Sequence, residues 1–472
     1  MLFNSFEFLI LFLPLVFISF YSAKDSKNKK YILILFSLFF YSFFNFFYIF
    51  LLIFSILINY TLYKYYYKRR FYLAVAVLFN LSLLIYYKYL NFIINNLIYF
   101  FNFDISTNPL ILPLAISFFT FQQIAFHIDH RSDVNRCVSV IDYTLFVSFF
   151  PQLIAGPIVK YSKIIHYFKF KINANNFLYR GLLIFIIGLI KKVFIADNFA
   201  PFADNVFSDP ASFSSIFIAL GVLAYSIQLY FDFSGYCDMA YGLGLLFGVR
   251  LPINFYSPYK ASNIQQFWRK WHITLGKFLR DTIYIPIGGN KNIYILFFAL
   301  FCTFFLGGLW HGANWTFVFW GLLHFLYLVI FHLWSKYKLF TIPRHISTMI
   351  TFISVCFAWI FFRSDNIYIA NEVLNSLVFS DKSFFISLNT FYVNSMIQPF
   401  VYILGDIFIY QFILLIFIFL CPILIIFTLP NSFQISSVHF YNRQKILFVI
   451  NKIVLIVFGL LSIFMSITSS QK

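Results

Sequence analysis

The sequence predicts an all-α, polytopic membrane protein. Only 11% of its 472 residues are charged and 61% are hydrophobic, where a soluble protein carries about 25% charged residues. Mean hydropathy is +0.84. Apolar runs recur from end to end, and on the ~20-residue rule for a crossing helix they amount to about 11 to 13 transmembrane or re-entrant pieces. No repeat, Gly/Ser linker or soluble domain interrupts them, so residues 1–472 read as a single integral membrane domain.

The formal net charge is +18, from 34 Lys+Arg against 16 Asp+Glu. In a soluble chain such an excess points to nucleic acid. Here the enrichment of cytoplasmic loops in Lys and Arg is a sufficient cause, and no nucleic-acid partner is expected. Cys137, Cys237, Cys302, Cys356 and Cys421 lie far apart, with neither metal-ligand spacing nor an obvious disulfide frame. Met1–Tyr21 lacks a basic start and a small-residue cleavage site, so it is expected to be a retained first helix, with Pro14 a kink.

The elements follow in order. Tyr31–Tyr63 lies between the basic clusters Lys24–Lys30 and Lys64–Arg70. One helix of that length would reach ~50 Å and put the clusters on opposite faces. A hairpin broken near Ser42–Asn45 keeps both on one side and is preferred. Phe71–Tyr87 spans again, and Tyr89–Phe103 is expected partly in the interface. Leu110–Phe126 is the next span, closed by His127, Asp129 and His130. That trio has metal-like spacing, but a polar helix end is the better expectation. Tyr143–Ile158 holds Pro151, Gly156 and Pro157 in an apolar run, so it should be broken or re-entrant. Lys160–Arg180 is a basic, cytoplasmic loop, and Phe177–Phe194 spans.

Phe213–Phe247 is expected to hold two spans around a polar knot, with Ser234-Gly235-Tyr236 turning the chain. Tyr225, Gln228 and Asp232 recur at i, i+3 and i+7 and share one helix face, with Asp238 further on. Such a face glues helices together or lines a water-filled cavity. Pro258–Asn290 is the least apolar long stretch. Trp268, Trp271, Leu275 and Phe278 repeat there at helical spacing among Arg269, Lys270, Lys277 and Arg280, which describes a basic, aromatic amphipathic segment at an anionic leaflet. His272 beside Trp271 is not explained by that. Ile293–Leu309, Gly312–Leu333 and Ile346–Phe362 span. Asp365–Gln398 is expected to be an external or interfacial loop. Val401–Phe427 and Ile446–Ile467 are the last apolar runs, separated by Asn431–Lys445.

One stretch stands apart. Gly307–Trp315 reads Gly-Gly-Leu-Trp-His-Gly-Ala-Asn-Trp and carries a single histidine, His311, in an apolar field. A titratable ring there needs a partner or a chemical task. Gly307, Gly308 and Gly312 let another backbone or a substrate approach closely. Trp310 and Trp315 add bulk, and a buried indole needs an acceptor.

With these blocks in place, the chain resembles the membrane-bound O-acyltransferase superfamily, in its bacterial alginate O-acetyltransferase-like branch. The resemblance covers roughly Met1 to Phe379. It rests on Phe150-Pro151 with Ala155-Gly156-Pro157, on Tyr230–Tyr236 with Asp238-Met239-Ala240, and on Asn254-Phe255 with Pro258-Tyr259. It continues through Phe267–His272, Leu279-Arg280-Asp281 to Gly288-Gly289, and Gly308–Trp315. The resemblance implies a ring of helices around a central funnel and an acyl transfer within the bilayer of the bacterial inner membrane. It implies His311 as the catalytic residue and His272 as the second characteristic histidine, nearer the cytoplasm. It further implies a cytoplasmic thioester donor, an exported polysaccharide acceptor such as alginate or peptidoglycan, and a periplasmic acetyltransferase partner. Two departures stand out. Gln152 occupies a position where many relatives have histidine, and Val401–Lys472 extends past the matched part.

Moving an acyl group from a thioester to a hydroxyl needs a base and stabilisation of an oxyanion. His311 suits the base, a role worth about 10²–10⁴-fold, and a covalent acyl-His311 intermediate stays open beside it. Asn314, or a backbone amide beside Gly312, is the candidate oxyanion donor. Trp310, Asp232, Gln228 and Trp268 are expected to line the substrate path. Arg269, Lys270 and Arg280 are expected to meet the phosphates of acetyl-coenzyme A or an acidic carrier; no bound cofactor and no metal is expected. D-alanyl transfer to teichoic acid and a transporter or flippase are the alternatives, the last disfavoured by the lack of inverted repeats.

Overall fold

Backbone in hydrocarbon must satisfy its own N–H and C=O groups, and the apolar runs accordingly fold as helices. The structure, a computed structural model, describes residues 1–102, 110–131, 137–154, 156–170, 174–337, 340–384, 387 and 408–437; no strand occurs among them. Six helices among the described residues are long and apolar enough to cross a membrane. Many large apolar side chains are exposed, among them Leu35 (65%), Phe47 (77%) and Leu78 (65%). Such a surface is suited to lipid, and the chain is a multi-pass membrane protein.

The chain divides into two units. The first comprises Met1–Leu189, Tyr236–Ile253 and Ser436–Lys472. Its described helices are α1 (Leu13–Ser22), α2 (Ser26–Ser42), α3 (Tyr48–Tyr66), α4 (Tyr72–Leu84), α5 (Leu90–Phe101), α6 (Ile116–Arg131), α7 (Val140–Ser148) and α8 (Ala174–Ile190). The expected hairpin break falls between α2 and α3. The expected kink at Pro14 coincides with a junction, where a wider π-type turn over Glu7–Phe12 meets α1. A second such turn, Ile85–Tyr89, carries α4 into α5, so Tyr72–Phe101 is one continuous helical run. The chain does break at Phe149, before the short helix Phe150–Leu153. The expected loop over Lys160–Arg180 is partly helical, with short turns over Tyr161–Lys169 and Arg180 already inside α8.

A buried polar network ties α3, α4, α6 and α7. Asn59 Oδ1 accepts from Asn80 Nδ2 at 2.6 Å and from His127 Nε2 at 2.8 Å. The Tyr72 hydroxyl meets His127 Nδ1. Tyr143 donates to Gln123 at 3.0 Å, and Gln123 donates to Ser55 at 2.8 Å. Both nitrogens of His127 are thereby engaged, and Asp129 accepts from the Ser162 backbone N–H at 3.0 Å. His127 and Asp129 serve interhelical bonding, the usual use of polar groups between membrane helices.

The second unit comprises Ile190–Gly235 and Asn254–Ile435. Its described helices include α9 (Asp197–Ser208), the first part of α10 (Ser215–Leu246), α11 (Ile273–Leu279), α12 (Ile293–His311), α13 (Trp315–Tyr337), α14 (Arg344–Arg363), α15 (Ile367–Phe379) and α16 (Phe408–Thr428). Three expectations are corrected here. Ser234-Gly235-Tyr236 does not turn the chain: α10 runs through it unbroken for 32 residues. A turn there would strand backbone donors in hydrocarbon, whereas one glycine inside a helix costs only about 1 kcal/mol. The basic aromatic segment is not one helix. It stops after Ile264–Trp268 and restarts at Ile273, because its backbone bonds elsewhere: Tyr256 N–H donates to Lys270 O and Ile273 N–H to Asn254 O, both at 3.0 Å. Within the expected loop Asp365–Gln398, Ile367–Phe379 is a helix capped by Asn366, whose Oδ1 accepts from Ile369 N–H at 2.9 Å. Residues 385–386 and 388–398 of that loop, 401–407 of the following run, and the expected span Ile446–Ile467 lie outside the described residues.

Among the described residues, the hairpin of α12 and α13 brings two helix backbones into close contact. A Cβ at Gly308 would stand 2.3 Å from Phe317 O, and one at Gly321 would stand 2.3 Å from Phe304 O. Both lie against facing backbone, which cannot yield as a flexible side chain can. Gly308→Ala is therefore expected to cost about 1–3 kcal/mol through overpacking, read as a lower melting temperature of the detergent-purified protein.

Candidate active site

His311 is the last residue of α12, and the extended Gly312 ends the helix behind it. Glycine is required at 312, since a Cβ would lie 2.1 Å from the Phe317 ring. Three aromatic rings hold the His311 imidazole edge-on: Trp310 at 4.9 Å, Trp320 at 5.0 Å and Phe362 at 5.0 Å between centroids. Packing on three sides leaves the ring little rotational freedom.

A cavity of about 500 Å³ opens beside His311. Along α12 it is lined by Leu300, Thr303, Phe304, Gly307 and His311, and along α13 by Trp320, Leu328 and His332. The α12 positions follow an i, i+3, i+4, i+7, i+11 pattern, so one helix face forms the wall. From Leu300 to His311 the wall is ~16 Å long at 1.5 Å per residue. The remaining side comes from the broken segment, including Trp268, Arg269, Gly276, Lys277, Leu279 and Arg280. Arg269, Lys277 and Arg280 are exposed cations, whereas Leu279 and Trp320 are buried. The cavity thus combines exposed positive charge with an apolar interior that includes the His311 ring. A wider π-type turn over Arg280–Tyr284 continues from α11 where it borders the cavity.

His272 occupies a different environment. It is 1% exposed and adopts a left-handed backbone with φ 42°, an uncommon conformation for a residue other than glycine. Asn254 Oδ1 accepts from Thr274 N–H at 3.1 Å, from the Thr274 hydroxyl at 2.9 Å, and from His272 Nδ1 at 3.2 Å. The backbone donor identifies that Asn254 atom as oxygen, so the hydrogen of the neutral His272 ring sits on Nδ1 and Nε2 carries the lone pair. Burial pushes the His272 pKa down to about 3. His272 does not line the cavity. Its ring meets Trp310 at 5.9 Å, and Trp310 in turn adjoins His311.

Of the other sequence candidates, Trp268, Arg269 and Arg280 line the cavity with His311, while Trp310, Lys270, Asn314, Gln228 and Asp232 do not. Asn314 Oδ1 accepts from Thr316 N–H at 3.1 Å, and its Nδ2 donates to Asp365 O at 2.6 Å. One of its amide hydrogens is thus already used to hold the loop behind His311. Asp232 pairs with Lys192 at 2.6 Å, and Lys192 also pairs with Asp197 at 2.7 Å. Gln228 keeps a buried side-chain oxygen with no hydrogen-bond partner among the described residues. Lys270 is half-buried; burial and then the neighbouring Arg344 lower its pKa. Sequence reasoning missed Trp320, Thr303 and His332 as lining residues because they lie inside runs read only as spans. Their helical register against His311 was the available signal.

The membrane-bound O-acyltransferase family model matches residues 35–370. The chain belongs to that family. It is 43% identical over 422 residues to the peptidoglycan O-acetyltransferase of Helicobacter pylori, covering 80% of each chain. It is 37% identical over 390 residues to a probable alginate O-acetylase of Pseudomonas aeruginosa, covering 78% of this chain and 73% of the relative. A teichoic acid D-alanyltransferase of Bacillus subtilis is more distant, 27% identical over 274 residues, 54% of this chain and 69% of that one. This family member is an O-acyltransferase.

His272 supplies a pH test. Its folded pKa of about 3 lies below the unfolded value of about 6.5. Between those values the unfolded chain binds the extra proton, so this stabilisation is complete above about pH 6.5 and is lost as pH falls through the window. The melting temperature of the wild type should therefore drop further between about pH 7.5 and pH 5 than that of His272→Gln. Equal drops would show that His272 is not held neutral.

Proposed function

We propose that this acyltransferase moves an acetyl group from a cytoplasmic thioester to hydroxyls of an exported cell-surface polysaccharide, with peptidoglycan as the first candidate. The cavity carries the proposal, because it puts exposed Arg269, Lys277 and Arg280 and the His311 ring on one continuous lining. A phosphopantetheine thioester, on coenzyme A or on a carrier protein, has the matching form: an anionic end, a thin arm and a reactive carbonyl at its tip. The 43% identity to a peptidoglycan O-acetyltransferase favours that polymer over alginate, and the lower identity over a shorter span disfavours D-alanyl transfer.

In this mechanism the cations hold the phosphates at the cavity's exposed side. Neutral His311 takes the proton from an acceptor hydroxyl, the alkoxide oxygen attacks the thioester carbonyl, and the carbon–sulfur bond breaks as the thiolate leaves with the proton. The same ring could first accept the acyl group covalently. Trp310 and Trp320 fix the ring, and His272, held by Asn254, supports Trp310. His272 is therefore a positioning residue here. The donor belongs on the cytoplasmic face of a bacterial inner membrane, consistent with the basic character of Trp268–Arg280. The polymer lies on the other side, so an exported partner is expected to complete the delivery.

His311→Ala is expected to lower transfer by about 10²–10⁴-fold, seen as loss of base-released acetate from one polymer fraction at normal protein level. That fraction names the acceptor. A fall in released alanine with unchanged acetate would instead favour D-alanyl transfer. Separately, Lys277→Glu should raise the KM for the donor several-fold with little change in kcat, and added salt should shrink the difference.

A further inference from the structure

The glycines beside His311 are not equivalent. Gly308 and Gly321 are required by facing backbone, and Gly312 by the Phe317 ring. Gly307 is different. A Cβ there would meet only Leu279 Cδ1, at 3.3 Å, the far end of a flexible side chain. Helix packing thus does not demand glycine at 307, although glycine inside a helix lowers stability relative to alanine. Gly307 lies one helical turn before His311 on the same face of α12, and both line the cavity. Leu279, the one residue its methyl would touch, lines the cavity as well.

We propose that Gly307, with Leu279 opposite, sets the size of the acyl group presented to His311. This rests on the donor path proposed above and goes further, because it names the part of the cavity that measures the acyl chain. The missing side chain leaves a space that one methyl group fills only as Leu279, whose Cδ1 would stand 3.3 Å away, yields by a few tenths of an ångström. Short acyl groups such as propionyl are therefore admitted along with acetyl, and longer chains meet Leu279 and Thr303. Gly307→Ala fills that space from one side. Leu279→Ala enlarges it from the other.

The test uses the full-length protein in inverted membrane vesicles, supplied with acetyl or propionyl thioesters of coenzyme A and, in parallel, of an acyl carrier protein. Acetate and propionate released by base from the polymer fraction are compared. Gly307→Ala should lower the propionyl-to-acetyl ratio of kcat/KM about tenfold or more, the usual worth of one methylene in a fitted pocket. Leu279→Ala should raise the ratio, and the double variant should return toward the wild type, since the two side chains share one space. An unmoved ratio, including an equal loss of both transfers, would overturn the assignment while leaving the proposed function standing. No transfer from any thioester by the wild type would overturn the functional proposal and this assignment with it.

Discussion

The contact between α12 and α13 is the constraint on which the candidate active site depends. Gly308 and Gly321 bring the two backbones together, and that approach fixes how the helices are registered. Register then decides what surrounds His311. Trp320, one turn into α13 beyond the Phe317 contact, is brought against the imidazole. Phe362 closes on it from the end of α14. A slip of one residue would rotate these rings off His311 by about 100° around the helix. In lipid no hydrophobic driving force holds two apolar helices together, so close packing through small residues carries the load.

The broken segment 264–287 solves a different problem. A continuous helix there would satisfy its backbone internally and present a smooth wall. Breaking it at Arg269–His272 frees backbone groups that must find partners at once, and the extended stretch Asn254–Tyr256 provides them. The side chain of Asn254 then gathers Thr274 and His272 on a single oxygen. The restarted helix sets Gly276, Leu279 and Arg280 against the cavity. The strained φ of His272 is thus part of how the chain turns from an interfacial run into a cavity wall.

Much of this was legible in the sequence, and the exceptions share a cause. The helical class, the break between α2 and α3, and the broken region around Phe149–Pro151 follow from local composition. So does the importance of the glycines around His311. What failed was deciding where an apolar helix continues. Ser234-Gly235-Tyr236 is expected to turn the chain, yet α10 passes through it; Trp268, Trp271, Leu275 and Phe278 repeat at helical spacing, yet the chain breaks among them. In the second case the outcome depends on groups distant in sequence, with Asn254 the clearest example. The cavity was hidden for the same reason: Leu300 and Thr303 look like ordinary span residues until α11 lies opposite them.

The distribution of polarity around His311 bears on how such an enzyme can work across a membrane. A wall of ~16 Å covers about half of a hydrocarbon layer of ~30 Å. Under the proposed function, a donor arm laid along that wall brings the thioester to His311 while its charged end stays at the exposed side of the cavity. Only the neutral tip would travel, while the phosphates stay with Arg269, Lys277 and Arg280. Under the proposed function the base then stands at one end of that wall, where the thioester carbonyl arrives. His311 meets that need as the last residue of its helix, because the next residues, Gly312–Asn314, are already loop and Asn314 is tied to Asp365 O. A histidine in the middle of α12 could sense the donor equally well, but it would have only apolar helix above it and no route for a hydroxyl acceptor.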